Sequence, residues 1–356
     1  MKVESLVTAV VDVPLDKPVG TAIHSMTSVG CVLVEARCDT GAVGQGYIFA
    51  LNGDRVRSLE EMVRGFASFV EGRDPHDTEA VWHDIWAAMN AMGHKGVTVS
   101  ALSAIDTALW DAVGKQHEMP LHKLWGACRD RVDTYATSGL WLSQSIDELV
   151  AEAASFVDQG FRAMKIRLGS DRASDDVARV KAVREAIGDD IDLYADANQG
   201  FTTKQAIRLG RQLEPFHLAW FEEPVPAYDL EGHARVRAAL DVPIASGETE
   251  YTRFGMAAMI HAGAADVLMP DLQRIGGFSE FRKATALASA NSVPVSSHFF
   301  TEQSLCLAGS LHNCVSVEHC DWFQPLLNEP MELIEGQLVI PDRPGSGFTF
   351  RDAVKV

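Results

Sequence analysis

The 356-residue chain carries 31 Lys and Arg against 49 Asp and Glu, a formal net charge of −18, and 47% of its residues are hydrophobic. That length admits roughly two domains of about 150 residues with a large core. The acidic excess, with no clustered Lys/Arg face, excludes nucleic acid and anionic membrane surfaces as partners, and no run approaches the ~18 apolar residues of a membrane span.

The opening stretch, Met1 to Pro14, is apolar but interrupted by Glu4 and Asp12. It lacks a basic n-region and a small-residue cleavage site, so it is not read as a signal peptide. Residues 3–12 and 30–37 are Val-rich strand candidates, and Asp39-Thr40-Gly41 is a turn leading to a third run, Val43–Phe49. Helical spacing follows at Val56, Leu59, Met62, Val63, Phe66, Phe69 and Val70, and again at Val99, Leu102, Ile105, Leu109 and Val113. This first third reads as an α+β module with a small antiparallel sheet. The six cysteines form no Cys-x-x-Cys pair and no zinc-like spacing. Reduced, mostly buried thiols in a cytoplasmic protein are expected.

From about residue 130 the rhythm becomes short strand, helix, short strand. Candidate strands end near Ser138, Arg167, Asn198, Glu222, Glu248, Asp271, His298 and Glu318, with helices such as Asp147 to Asp158, stopped by Gly160, between most of them. Successive ends lie about 20 to 31 residues apart, the span of a βα unit. Eight units predict a (β/α)₈ barrel. A doubly wound sheet shares the local pattern, but no Gly-x-Gly-x-x-Gly turn opens any helix. The tail after Pro325, with Gly345-Ser346-Gly347, is turn-rich and is expected to fold back on the body.

Barrel chemistry sits at the C-terminal ends of strands. Three consecutive units end in acids: Asp196 in Tyr-Ala-Asp-Ala-Asn, Glu222 in Trp-Phe-Glu-Glu-Pro, and Glu248 in Ser-Gly-Glu-Thr. Any one of them alone reads equally well as a helix N-cap or a surface acid. Three at corresponding places crowd like charges at one mouth, which calls for a cation, and oxygen-only ligands suit Mg²⁺. On Ala163-Met164-Lys165-Ile166-Arg167-Leu168 the period of two sends Met164, Ile166 and Leu168 to one face and both cations to the other, into the barrel. Such cations form either a structural ion-pair layer or part of an active site. Burial beside another cation is expected to lower the pKa of Lys165 toward a proton-accepting range, which Arg167 cannot follow. Asp271 and His298, on successive strands, are placed for a carboxylate to hold an imidazole in one tautomer. Glu318 on the last strand reads as substrate contact or as plain structure.

These motifs, in this order, resemble the enolase superfamily, in particular its mandelate racemase subgroup; Met-Pro-Asp271 followed by Ile-Gly-Gly, Ser-Ser-His298, Val13-Pro14-Leu15 and Ala108-Leu109-Trp110-Asp111-Ala112 extend the likeness over nearly the whole chain. The superfamily is known for using a Lys or His base with Mg²⁺ at an ene-diolate. The resemblance implies a modified (β/α)₈ TIM barrel with an N-terminal α+β capping domain: cap at 1–125, barrel at 126–322, and a C-terminal segment, 323–356, returning to the cap. It implies one Mg²⁺ per chain on Asp196, Glu222 and Glu248, an Asp271–His298 dyad, Lys165 as the first cation of a Lys-x-Lys element, and Glu318 hydrogen-bonded to the substrate's carboxylate. Asn198 matches a substrate-contacting position. The family's closing loops correspond to about Asp16–Ser28 and Tyr47–Asp54, which makes His24 and Tyr47 specificity candidates, and the family commonly forms homo-dimers or octamers.

One departure matters: the second Lys of that element is Arg167, a poor proton acceptor, so symmetric two-base racemisation requires Lys165 to take over. The favoured reading is an acid-sugar dehydratase, in which Mg²⁺, Lys165 and Glu318 stabilise an enediolate, and His298 serves as the acid, or as both base and acid in a syn elimination. Lys165 is the alternative base. A racemase or epimerase of a 2-hydroxy acid, or a lactone cycloisomerase, would share the first half-reaction; a metal-binding protein without turnover is the reading from another class.

Overall fold

The three Val-rich runs of the first third pair with one another in the computed structural model, which describes residues 1–352. Val3–Gly20 (β1), Ser25–Cys38 (β2) and Val43–Leu51 (β3) form an antiparallel sheet in that order. β1 runs eight residues past the predicted end at residue 12, because β2 starts at Ser25 and Val19 pairs with Met26 at the far end of the hairpin. Helix Val97–Gln116 lies on β3, so closely that a Cβ on Gly44 would stand 1.9 Å from the carbonyl oxygen of Ala108. The first helix of the chain, Val56–Gly65, stops short of the predicted Val70, and residues 67–69 form a single 3₁₀ turn.

Eight parallel strands follow: Arg131–Ala136 (β4), Ala163–Arg167 (β5), Asp192–Asp196 (β6), Trp220–Glu222 (β7), Ile244–Ser246 (β8), Val267–Leu268 (β9), Val295–Ser297 (β10) and Cys314–His319 (β11). Each pairs with the next, and β11 pairs with β4 to close the barrel. The helices between them begin where side chains supply the missing acceptors. Ser145 and Glu148 form a capping box at Ile146–Asp158, and Thr202 and Gln205 form another at Thr203–Leu213.

The period-two reading of β5 holds. Met164, Ile166 and Leu168 pack outward with Leu193, Phe221 and Ile244 under the helices. Inside, Tyr135, Tyr194 and Trp220 form an aromatic floor, with Tyr194 stacked on Trp220 at 3.7 Å. This floor fills the lower barrel and leaves the mouth to charged groups.

Leu333–Ile334 (β12) and Gln337–Val339 (β13) form a hairpin whose second strand runs antiparallel to the start of β4. The tail then returns to the first third, where Ser346 donates through its amide and hydroxyl to buried Asp111 (2.7 and 2.9 Å), and the Phe350 amide donates to Gln45. All six cysteines are free thiols, five of them buried, and no described helix is long and apolar enough to cross a membrane.

The contact between β3 and the helix at Gly44 admits no side chain. Gly44→Val is expected to lower stability by about 1–3 kcal/mol, read as a fall in the urea unfolding midpoint.

Candidate active site

Strand register brings the charged residues to one level. Arg167 on β5 pairs with Asp196 on β6, which pairs with Glu222 on β7, while Lys165 lies one layer below, opposite Tyr194. Glu248 follows β8 at the end of Ser-Gly-Glu, where Gly247 has φ +130° and a Cβ would come within 3.1 Å of the Met269 amide. Only glycine accepts that conformation comfortably. Asp271 and His298 are joined by an isolated parallel bridge just beyond β9 and β10, and His298 Nδ1 lies 2.7 Å from Asp271 Oδ2. The other Asp271 oxygen accepts the Arg274 amide and caps the short helix Leu272–Ile275. The N-cap role and the dyad role thus coincide in one carboxylate.

Lys165 is 1% exposed and donates to Glu222, 2.7 Å away. Its Nζ also lies 2.7 Å from Glu318 Oε1 and 3.7 Å from Asp196. Burial pushes its pKa down, but Glu222 and Glu318 outweigh burial and raise it above its ordinary value. The expectation of a lowered Lys165 is therefore corrected: its nearest neighbours are carboxylates, with Arg167 a lesser influence. Glu318 is held down at about 2; burial opposes this, and Lys165, His298 and Arg167 impose it. It is fully buried, accepting also from Thr137 Oγ1 (2.7 Å) and the Phe299 amide (2.9 Å). The sequence left Glu318 as substrate contact or plain structure, and the family resemblance implies a hydrogen bond to the substrate's carboxylate. In the fold it stands behind Lys165 and His298 and does not line the cavity.

Above these groups a cavity opens between barrel and cap, lined on the barrel side by Lys165, Arg167, Asp196, Asn198, Glu248 and His298. His298 is raised to about 9: burial lowers it, but Glu248 (3.4 Å), Glu318 and Asp271 more than compensate. Arg167 is buried with its guanidinium 4.8 Å from the Trp141 ring. Its Nη2 donates to Thr137, whereas Nε and Nη1 have no hydrogen-bond partner. Asn198, at φ +41°, donates through its amide NH₂ to Asp196 (2.9 Å) and keeps a buried Oδ1 without a partner.

His24 lines the cavity from the turn between β1 and β2. Tyr47 does not reach it. Its ring is buried against Phe300 and Phe323 and its hydroxyl donates to Glu302. Position 47 faces the barrel on a strand rather than a loop, and Phe49 and Leu51, further along the same face, line the cavity instead. Arg274, also on the wall, donates to the Glu248 carbonyl at 2.8 Å; sequence reasoning missed it, although its place three residues after Asp271 puts it on the same turn of helix. Glu223 was missed as well. Buried beside Glu222, it accepts from Gln199 (2.8 Å) and Thr249 (3.2 Å) and ties the loops that carry Asp196 and Glu248 together.

Asp196, Glu222 and Glu248 present carboxylate oxygens all within 4.8 Å of one another. Burial and mutual repulsion push Glu222 well above the carboxylate range and Glu248 to about 7, although Lys165 and His298 pull the other way. Together with the partnerless Asn198 oxygen, this is an oxygen-only set in need of positive charge, and it fits Mg²⁺.

Residues 4–126 match the family described as mandelate racemase / muconate lactonizing enzyme, N-terminal domain, and residues 148–354 match the enolase C-terminal domain-like family. The chain is 36% identical over 330 residues to the L-talarate/galactarate dehydratase of Salmonella typhimurium, covering 93% of this chain and 83% of that protein. It is 35% identical over 377 residues to the D-galactarolactone cycloisomerase of Agrobacterium fabrum, covering 99% and 98%. The crystal structure of the Salmonella typhimurium LT2 dehydratase liganded with Mg and L-lyxarohydroxamate superposes with a TM-score of 0.95 at 35% identity, covering 99% of this chain and 91% of that one.

Raised carboxyl groups must lose protons before they bind a cation. Mg²⁺ affinity is therefore expected to fall as pH drops below about 7, where Glu248 takes up its proton, with proton release on binding at that pH. Calorimetry in buffers of different ionisation heat measures both. Asp196→Asn, Glu222→Gln and Glu248→Gln are each expected to weaken Mg²⁺ by more than about tenfold.

Proposed function

The chain belongs to the mandelate racemase / muconate lactonizing enzyme family of the enolase superfamily, and we propose that it is a Mg²⁺-dependent acid-sugar dehydratase working with a single acid–base residue. One observation carries this reading. The Asp271–His298 dyad lines the cavity, while the second position of the Lys165-x-Arg167 element, which lines the same cavity, is an arginine that cannot accept a proton. Named relatives that are dehydratases of talarate/galactarate, arabinonate and xylonate support it.

Mg²⁺, held by Asp196, Glu222 and Glu248, would supply Lewis-acid polarisation of the substrate carboxylate. Arg167, whose Nη1 has no partner while its Nε lies 3.4 Å from Asp196, orients that carboxylate by a charge-assisted contact, and the Lys165 ammonium stabilises negative charge as it develops. Glu318 is a positioning residue: it holds Lys165 and faces His298. His298 Nε2 takes the α-proton, and the electrons of the C–H bond form the enediolate. Those electrons then expel the β-hydroxide, which leaves as water with the proton returned by His298, and the enol product tautomerises to a 2-keto acid. Asp271, 2.7 Å from Nδ1, fixes the tautomer of His298, raises the basicity of Nε2 and keeps it aimed at the substrate.

Racemisation with two bases is disfavoured by Arg167. Epimerases and cycloisomerases among the relatives share the first proton abstraction and part company at elimination. The six free thiols support a cytoplasmic setting, and self-association as a dimer or octamer rests on the family resemblance alone.

Incubation with Mg²⁺ and a panel of acid sugars in D₂O is expected to yield 2-keto acid, and EDTA to abolish it; α-deuteration without keto acid would instead indicate an epimerase. His298→Asn is expected to remove both α-proton exchange and elimination by about 10²–10⁴-fold, while Lys165→Arg, which keeps the charge, retains exchange. The opposite pattern, exchange surviving in His298→Asn and lost in Lys165→Arg, would make Lys165 the base.

A further inference from the structure

Arg167 is the residue at which this chain departs from the Lys-x-Lys element, and three neighbours hold its guanidinium. Nη2 donates to Thr137 Oγ1 at 2.9 Å, and that hydroxyl in turn donates to Glu318 at 2.7 Å, which leaves its lone pairs for the arginine. Nε lies 3.4 Å from Asp196 Oδ2. The guanidinium carbon stands over the Trp141 ring, 4.8 Å from its centre. Nη1 alone is left for a substrate.

Trp141 does not owe its place to Arg167. It is buried in the loop after β4, and other parts of the barrel pin that loop. Leu140, at φ +51°, donates its amide to Glu152 at 2.6 Å, and the Trp141 amide donates to the Gln144 side chain. Arg179, buried on the helix Ala173–Ile187, donates to the carbonyls of Trp141 (2.9 Å) and Gln144 (2.7 Å). The ring packs with Val19 and Met26 of the cap and stacks on Trp322 at 5.8 Å. A π-face is therefore in position independently of the cation it receives, and such a face attracts a guanidinium by about 0.5–2 kcal/mol. The competing place for Arg167 is a two-point ion pair with Asp196. That pairing would draw Nη1 out of the cavity and occupy a carboxylate that the cation site needs.

Resting on the dehydratase reading, we infer that Trp141 is a positioning residue for carboxylate binding: its ring face holds the Arg167 guanidinium off Asp196 and keeps Nη1 available to the substrate's carboxylate. Trp141 acts through Arg167 and not on the reacting carbons. Its contribution is to binding shared by ground state and transition state, so its loss is read in KM and Kd rather than in kcat.

The test replaces Trp141 in the Mg²⁺-loaded full-length protein with monofluoro-, difluoro- and tetrafluorotryptophan, incorporated at that position alone. Fluorine withdraws electron density from the ring face and nearly preserves its shape, so the packing of the loop is kept. The probe is whichever of galactarate, D-gluconate and the remaining acid sugars of the panel yields most 2-keto acid. Its KM, and its calorimetric Kd with the His298→Asn protein, are expected to rise stepwise along the series, by about 3- to 30-fold in all, while kcat stays nearly constant. In an Arg167→Met background the same series is expected to be flat in Kd, because no cation stands over the ring. A flat series with Arg167 present overturns the inference and leaves the dehydratase reading, judged by the keto acid, standing. A slope that persists in Arg167→Met also overturns it, since the ring would then act on the substrate directly. If Arg167→Met leaves Kd unchanged, Arg167 does not bind the carboxylate and the inference falls with that role. If no acid of the panel exchanges its α-proton, the dehydratase reading falls and the inference with it.

Discussion

Eight ionisable side chains share the mouth of one barrel, and each is tolerable there only because the others are present. Asp196, Glu222, Glu248, Asp271 and Glu318 bring five potential negative charges; Lys165, Arg167 and His298 answer them incompletely. Removing one partner from a buried ion pair costs about 3–5 kcal/mol, because the remaining charge is left desolvated. The pKa values register the imbalance: Glu318, next to Lys165, is held at about 2 despite its burial, while Glu248, buried and then repelled by other carboxylates, rises to about 7. A divalent cation is the missing counter-charge. The affinity for metal and the affinity for a carboxylate substrate therefore come from one arrangement of charge, in a protein whose net charge of −18 would by itself repel acids.

That arrangement depends on parts of the fold that carry no charge. The rings of Tyr135, Tyr194 and Trp220 fill the lower barrel and keep Lys165 lifted toward Glu222 and Glu318. Trp220 also donates its indole N–H to Glu222 at 3.0 Å. Asn198 ties Asp196, and Glu223 bridges Gln199 and Thr249, so the carboxylates are oriented before any cation arrives. The cap supplies a different kind of order. Its hairpin and the end of β3 bring Met26, Phe49 and Leu51 over the mouth, excluding water from the site and strengthening every electrostatic interaction beneath it.

Much of this was legible in the residues. Strand ends spaced as βα units, each bearing a polar residue, identified the barrel, and alternation on β5 alone placed Lys165 and Arg167 inside. The Asp271–His298 pairing followed from their positions on successive strands. Other expectations failed for reasons of packing. A lowered pKa was expected for Lys165 beside Arg167, but the side chain turns toward Glu222 and Glu318, which raise it. Tyr47 was placed in a closing loop; β3 continues through it and buries its ring between Phe300 and Phe323. For Glu318 the sequence left substrate contact and plain structure open; the fold encloses it with three donors, Thr137 just after β4, Lys165 on β5 and the Phe299 amide after β10.

The sequence by itself determined the chemistry available: which groups ionise, which strand presents them, that the acids outnumber the cations, and that Arg167 removes one of two possible bases. These are properties of residue type and periodicity, and they survive any change of neighbours. Tertiary structure alone decided how those groups share charge and what stands above them. Among these groups, proton affinities depend on distances of 2.7–3.9 Å between side chains up to 153 residues apart, Lys165 and Glu318 being the extreme case. The apolar wall of the cavity is likewise assembled from the cap hairpin, the end of β3 and the loops after β4, β10 and β11, no two of which are adjacent in the chain. No local pattern encodes such a surface, because each contributing residue reads, in its own segment, as ordinary core.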